Sequence, residues 1–271
     1  MSEDKHHNII INVNSDWLFN NLMPDEDQIF VFEGNQYMKL ITVFEGIGIS
    51  EKKWIPTVGP SAKLEQHVYS WKITEKFKSI IQVYYSSVKR MNITVDYVNN
   101  TIALDSHSVG PHGFRWKISN IELDGETSWK LEDMTVAAEC SFDWRDLTLV
   151  LEAARFSHVV TIKVNSNNND VLWEGFEEDG TKCWAHQHQR LAWKYGEAMT
   201  KFQPDVLYNI MRTMDTPQSY SPNTKLSILK TKILMIESED TIAYMAPIID
   251  DVQIDGGLCM EDKAPPVEEV N

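Results

Sequence analysis

One cysteine and two histidines stand close together in TKCWAHQHQRLAWKYGEAM, residues 181 to 199, and both residue types bind zinc. If the stretch from 184 onward is helical, His186 and His188 point roughly 200° apart around the helix axis and cannot share one ion. Cys183 and His186 are three positions apart and could share a face, but no spacing supplies the two further ligands of a tetrahedral site. The sequence favours an inert, polar start of a helix. A metal-assisted hydrolase using Cys183 and His186 is the runner-up.

Motifs of the common enzyme classes are absent from the sequence. It contains no GxSxG, Walker A, GxGxxG, EF-hand or kinase signature. We therefore predict that the protein is not an enzyme and has no catalytic residue, no metal site and no resident cofactor.

The charge and hydropathy of the chain bound its partners. Its net charge is -15, and its six arginines are scattered, which argues against binding to nucleic acid. No secretory signal precedes the first elements, and no apolar run approaches the roughly 18 residues that span a bilayer. We expect a soluble protein of a reducing compartment. Near pH 10 its lysines and tyrosines titrate, so its net charge would fall towards about -40.

Hydrophobic periodicity predicts an α+β chain that is predominantly β, a single-domain β-sandwich with several inserted helices. About ten strands are expected, and no internal repeat is visible. Helices are predicted near 74–90, after a Thr74 cap, and near 184–214. The expected organisation is an N-terminal arm with a short helix over residues 1–27, a sandwich core over 28–258 and an acidic extended tail over 259–271.

Two apolar stripes define the helices on which these expectations depend. Within 184–214, the predicted core helix shows its stripe at Leu191, Tyr195, Ala198 and Phe202. Within the arm, Trp17, Leu18 and Leu22 form one apolar side. Nine tryptophans are spread along the chain, and they suit a large aromatic core and extensive self-association equally well.

Read in order, several segments resemble the polyhedrins of cypoviruses, the proteins that crystallise around virions inside infected insect cells. The segments that carry this resemblance are ITEKFKSIIQVYY (73–85), KRMNITVDYVNNTIALDSH (89–107), HGFRWKISNIELDGE (112–126), DWRDLTLVLEAA (143–154) and HQHQRLAWKYGEAMTKF (186–202).

The resemblance implies a structural protein that forms trimers, which pack with virus particles into crystalline occlusion bodies in the host-cell cytoplasm. The crystals would protect the virions and dissolve at alkaline pH. Trp17, Leu18 and Leu22 would then lie on an assembly arm that reaches a neighbouring molecule. The resemblance also allows a bound nucleotide, at a site that it does not place. The alternatives are the metal-assisted hydrolase and a cytosolic β-sandwich module that binds other proteins.

Overall fold

The computed structural model describes most of the chain between residues 8 and 248. The described residues are 8–33, 37–45, 47–54, 68–96, 99, 101–106, 115–119, 134–142, 150, 152–165, 170–188, 193–214 and 224–248.

Sixteen strands and three helices have bounds within the described residues. The strands are β1 Asn8–Asn14, β2 Asp27–Glu33, β3 Tyr37–Phe44, β4 Gly48–Trp54, β5 Val68–Lys72, β6 Arg90–Asp96, β7 Thr101–Ser106, β8 Arg115–Ser119, β9 Val136–Phe142, β10 Val159–Asn165, β11 Asp170–Phe176, β12 Lys182–His188, β13 Trp193–Phe202, β14 Thr224–Leu229, β15 Leu234–Glu237 and β16 Thr241–Met245. The helices are α1 Ser15–Asn21, α2 Glu75–Tyr84 and α3 Pro204–Met214. The protein is thus predominantly β with few helices, as predicted. Its arrangement as a sandwich stays a prediction.

The chain repeats one pattern four times: a strand, a helical segment and three further strands. Unit 1 runs from β1 to β4 and unit 2 from β5 to β8; unit 3 runs from β9 to β12 and unit 4 from β13 to β16. In unit 3 the helical segment includes residues 152–154. The expectation of no internal repeat was wrong, because the units share the order of their elements and not a recognisable sequence.

Neighbouring units exchange their first strands. β5 of unit 2 pairs with β2 of unit 1, and β1 of unit 1 pairs with β6 of unit 2. In the same way β13 pairs with β10, and β9 pairs with β14. The strands form a four-stranded sheet in the order β1-β6-β7-β8 and a twelve-stranded sheet in the order β12-β11-β10-β13-β9-β14-β15-β16-β4-β3-β2-β5. Within the described strands, four end a sheet: β1 and β8 end the smaller one, and β12 and β5 end the larger one.

The helix starts follow local hydrogen-bonding rules. Asn14 Oδ1 caps α1 by accepting from the backbone N–H of Asp16 at 2.7 Å. Thr74 Oγ1 accepts from the N–H of Phe77 at 3.3 Å, which confirms the predicted cap of α2. Pro204 occupies the first position of α3, where its missing N–H costs nothing.

Two buried clusters hold the units together. The N-terminal cluster packs Phe30, Trp71 and Phe77, with the rings of Trp71 and Phe77 edge to face at 4.8 Å between centroids. The C-terminal cluster packs α3 against β14, β15 and β16. Lys52 on β4 is buried between unit 1 and unit 4 and donates from Nζ to the Thr213 carbonyl at 2.5 Å. That carbonyl lies at the C-terminal end of α3, where a cation is favoured.

The predicted helix over 184–202 is wrong for its described residues, because 184–188 belong to β12 and 193–202 to β13. Of the predicted 184–214, the described helical part is 204–214. Of the predicted stripe, Ala198 and Phe202 face the C-terminal core together with Thr200, which is the period of a strand. Tyr195 lies in β13, and Leu191 lies outside the described residues.

The proposed assembly arm packs on its own chain. β1 and α1 belong to unit 1, Leu18 is buried in the N-terminal cluster, and Trp17 and Leu22 pack against that cluster. The acidic tail over 259–271 lies outside the described residues. Among the helices that the structure describes, none combines the length and apolar character of a membrane span.

Candidate protein-interaction surfaces

The large sheet carries apolar side chains on the face turned away from the core. One cross-strand row joins Val43 to Ile49, Ile49 to Tyr244 and Tyr244 to Met235 through direct Cα partners on β3, β4, β16 and β15. A second row places Ile29 beside Ile41, with Ile242 two strands further on. We call these seven side chains the outer patch.

Strand alternation places these residues on the face opposite the two buried clusters, although Ile41 and Met235 are themselves only 2% and 9% exposed. On β3 and β4, Phe44 and Gly48 face inward, and a Cβ on Gly48 would meet Ile210 of α3 at 2.7 Å. Val43 and Ile49 must therefore face outward. An antiparallel sheet normally turns polar side chains to solvent on its second face. An apolar row on that face, in which Val43, Ile49 and Tyr244 are half-buried, is typical of a surface that binds another protein.

Charged pairs border the outer patch, and Glu51 stands inside its second row as the direct partner of both Ile41 and Ile242. Lys72 pairs with Asp27 at 3.0 Å, and Lys39 lies 4.0 Å from Glu51. Lys225 lies 2.7 Å from the buried carboxylate of Glu139, and this hydrogen bond raises the pKa of Lys225. An apolar centre inside a polar rim is the usual anatomy of a protein interface.

Tyr244 lies in the middle of the patch and is held neutral. Its burial, followed by the nearby carboxylates of Glu51 and Glu237, raises its pKa above the ordinary value of 10.0. A neutral tyrosine combines a large apolar ring with one hydroxyl, and tyrosine is enriched where proteins bind one another.

The second candidate surface is formed by the free edges of β8 and β12. An edge strand presents unpaired backbone N–H and C=O groups, which can accept another strand. One exposed large apolar residue lies beside β12. Phe156 is 81% exposed, and its carbonyl oxygen lies 4.0 Å from Cys183 Sγ on β12.

The residues of the predicted metal site do not come together. Both residues lie on the edge strand β12, but only His186 lies in the regularly paired part of that strand. His186 lies opposite the core residue Trp173, whereas Cys183 is exposed. Among the residues that the structure describes, no group of three His, Cys, Asp or Glu side chains could hold a metal ion.

Sequence reasoning missed both surfaces. The outer patch gives no local signal because its residues come from five strands of unit 1 and unit 4, which lie far apart in the chain. The apolar residues of β3 and β16 predict strands, but they do not say which strands lie beside them or that their outward-facing residues form one surface. The edges of β8 and β12 are visible only once strand pairing is known.

No protein-family model matches the sequence, and no curated protein matches it. Solved structures do resemble it. Proliferating cellular nuclear antigen from Entamoeba histolytica superimposes with a TM-score of 0.66 at 9% identity, over 89% of this chain and 98% of that one. The DNA polymerase III beta chain from Streptococcus pneumoniae gives 0.64 at 12% identity, over 92% of this chain and 67% of that one. The PCNA2-PCNA3 complex from Sulfolobus tokodaii gives 0.63 at 11% identity, over 89% and 98%.

These likenesses correct the function inferred from the polyhedrin resemblance. The structures concerned are clamp proteins of replication, so the predicted occlusion-body protein, packed in a lattice with virus particles and dissolved at alkaline pH, is wrong. The prediction that the protein does not bind nucleic acid is wrong as well, because one of these structures is named as a chain of a DNA polymerase. Net charge misled here because it averages the whole surface, whereas a contact depends on one face. The prediction of a protein that is not an enzyme agrees with the likeness. At these identities the likeness establishes the fold, and the protein has the fold of the clamp proteins.

Proposed function

We propose that the protein is a clamp-like scaffold: copies join head to tail through β8 and β12 into a ring around DNA, and the outer patch holds partner proteins. Three features support a ring that surrounds DNA: the clamp fold, the free edges of β8 and β12, and the distribution of charge over the helices.

One observation carries the assembly. The last strands of units 1 and 4, β4 and β16, pair antiparallel inside the chain from Thr241 opposite Lys52 to Met245 opposite Gly48. The last strands of units 2 and 3, β8 and β12, hold the equivalent positions, but each ends its sheet. Because units 1 and 2 correspond to units 3 and 4, β8 of one copy and β12 of the next can repeat the β16–β4 joint. A head-to-tail joint of this kind closes into a ring when its rotation allows.

The helices suit the side of such a ring that meets DNA. They pack on the core faces of the strands, opposite the outer patch. Glu152 lies on the described part of the helical segment of unit 3, and on α1, α2 and α3 three acidic and three basic side chains balance, although the whole chain carries -15. These side chains are Asp16, Glu75, Asp205, Lys76, Lys78 and Arg212. Lys78 is buried and donates to the carbonyls of Pro24 and Glu26, so the helical layer is only nearly neutral. Such a layer contacts phosphates without strong repulsion and without reading bases, which suits a protein that surrounds DNA and does not bind a sequence.

The outer patch supplies the second half of the function. It crosses from unit 1 to unit 4 on the side that a ring would turn outward, so a partner could bind while DNA occupies the centre. Tyr244, Ile49 and Val43 are the residues that we expect a partner to cover.

Sedimentation equilibrium and negative-stain electron microscopy test the assembly. We expect reversible association at micromolar concentrations and closed rings of uniform diameter. Rings formed in the presence of nicked circular DNA should co-purify with it and be released when the DNA is cut to a linear form. A chain that stays monomeric at the highest soluble concentration contradicts the proposal.

A further inference from the structure

The edge strand β12 is irregular at its beginning. Lys182 lies opposite Phe176 of β11, and Trp184 lies opposite Gly175. Cys183 therefore has no opposite Cα on β11 and forms a β-bulge. The regular part of β12 is therefore Trp184–His188. This part has the same length as β8, which spans five residues.

Two contacts hold the bulge from either side. Lys182 contacts the Glu174 carboxylate on β11, whose other oxygen lies 2.8 Å from Lys163 Nζ of β10. Trp184 Nε1 donates to Ser157 Oγ at 2.6 Å, and the indole covers Gly175 so closely that a Cβ there would lie 2.0 Å from Nε1. With both neighbours fixed, Cys183 is pushed outward.

The Glu174 carboxylate is an anchor and not a surface charge. Its side chain is only 3% exposed, while Lys163 and Lys182 approach it from the strands on either side of β11. Burial alone would raise the pKa of Glu174, but the hydrogen bonds from the two lysines outweigh burial and lower it. The carboxylate therefore stays charged and continues to attract Lys182.

The equivalent joint inside the chain has no such feature. β4 pairs with β3 without a bulge, and its stretch from Gly48 to Lys52 is open to β16. Resting on the assembly proposed above, we propose that Lys182 and Glu174 form a positioning pair that closes the first residues of β12, so that a second copy's β8 joins in one register at Trp184–His188. A bulge fixes register because one residue of slip would turn every side chain to the wrong face.

Two lysines on the same carboxylate provide a matched comparison. Lys182→Met removes the lysine that holds the edge strand β12 to Glu174. Lys163→Met removes the other lysine that pairs with Glu174, and this lysine lies on β10, away from the edge. Each variant leaves the other lysine to pair with the carboxylate, so both should fold. We expect Lys182→Met to weaken self-association about ten-fold or more and Lys163→Met to change it less than about three-fold, measured by sedimentation equilibrium. Lys182→Arg should restore association, because it keeps the charge at the bulge.

Hydrogen exchange supplies a readout that general destabilisation would not move. In Lys182→Met, the amides of Cys183 and Trp184 should exchange faster, while those of β10 should not change. Equal association of Lys182→Met and the wild type, or equal loss in both methionine variants, overturns the positioning role alone. A wild-type chain that does not associate overturns the proposed assembly together with this role.

Discussion

Phe156 offers a measure of how much apolar surface the assembly must cover. A phenylalanine side chain carries about 200 Å² of surface, of which 81% is exposed here. Covering all of that surface against a second copy would contribute up to about 4 kcal/mol, and covering half would contribute about 2 kcal/mol. Because the side chain touches little of its own chain, Phe156→Ser should change the free energy of unfolding by less than about 0.5 kcal/mol.

The prediction is therefore a large loss of association without a loss of stability. Phe156→Ser should raise the dissociation constant by between about thirty-fold and a thousand-fold, measured by sedimentation equilibrium. Ile10→Ser is the control, because Ile10 is 52% exposed on β1, at the end of its sheet opposite β8. Ile10→Ser should leave association unchanged. If Phe156→Ser associates as the wild type does, or if both variants lose association equally, Phe156 does not lie in the joint.

Three further predictions concern the fold and the outer patch. Gly196 has a φ of +76°, and a Cβ there would lie 2.1 Å from the Ala137 carbonyl oxygen. Gly196→Ala should therefore lower the free energy of unfolding in urea by about 3 kcal/mol or more. A change within about 0.5 kcal/mol would contradict this. Tyr244 should titrate above pH 10.0 in ultraviolet absorbance, because its pKa is raised in the folded protein. The stability that it contributes is present below pH 10.0 and is lost as the pH rises through the folded pKa. Tyr244→Phe should abolish that titration step and that loss of stability, and an unchanged titration would refute the assignment. Ile49→Asp on the outer patch should reduce the fluorescence of bound anilinonaphthalene sulfonate, whereas Lys53→Asp on the same strand should not; equal responses would mean that the dye does not report the patch.

Local sequence signals predicted the elements that local interactions decide. The Thr74 cap and the apolar spacing of Phe77, Ile80 and Ile81 give α2, and Pro204 gives the start of α3. These elements depend on hydrogen bonds and packing within one turn or two.

The stretch from 184 to 202 was misread because its apolar residues fit two periods. Ala198 and Phe202 stand four positions apart, which satisfies a helix and also an alternating strand. Hydrogen bonding of β13 to β10 and β9 favours the strand over the helix. Gly196, whose φ is positive, allows β13 to pass close to Ala137. Such tertiary pairing is not written in the local pattern.

The candidate surfaces could not be predicted from the sequence. Unit repetition appears only in the order of elements, and the free edges follow from which strands remain unpaired. The cysteine and histidines that drew attention in the sequence lie on one of those edges. They do not form a metal site but belong to an edge strand, in which the exposed Cys183 lies at a bulge.

The central claim is that β8 of one copy pairs with β12 of the next, and Cys183 allows this to be tested directly. Each residue of β8, from Arg115 to Ser119, can be replaced by cysteine in turn, and the native Cys183 then serves as the partner thiol. Under mild oxidation, at least one of the five variants should give a ladder of covalent oligomers that ends at one closed species, and Cys183→Ser should abolish the ladder. If all five variants remain monomeric on denaturing gels after oxidation, the head-to-tail joint is contradicted.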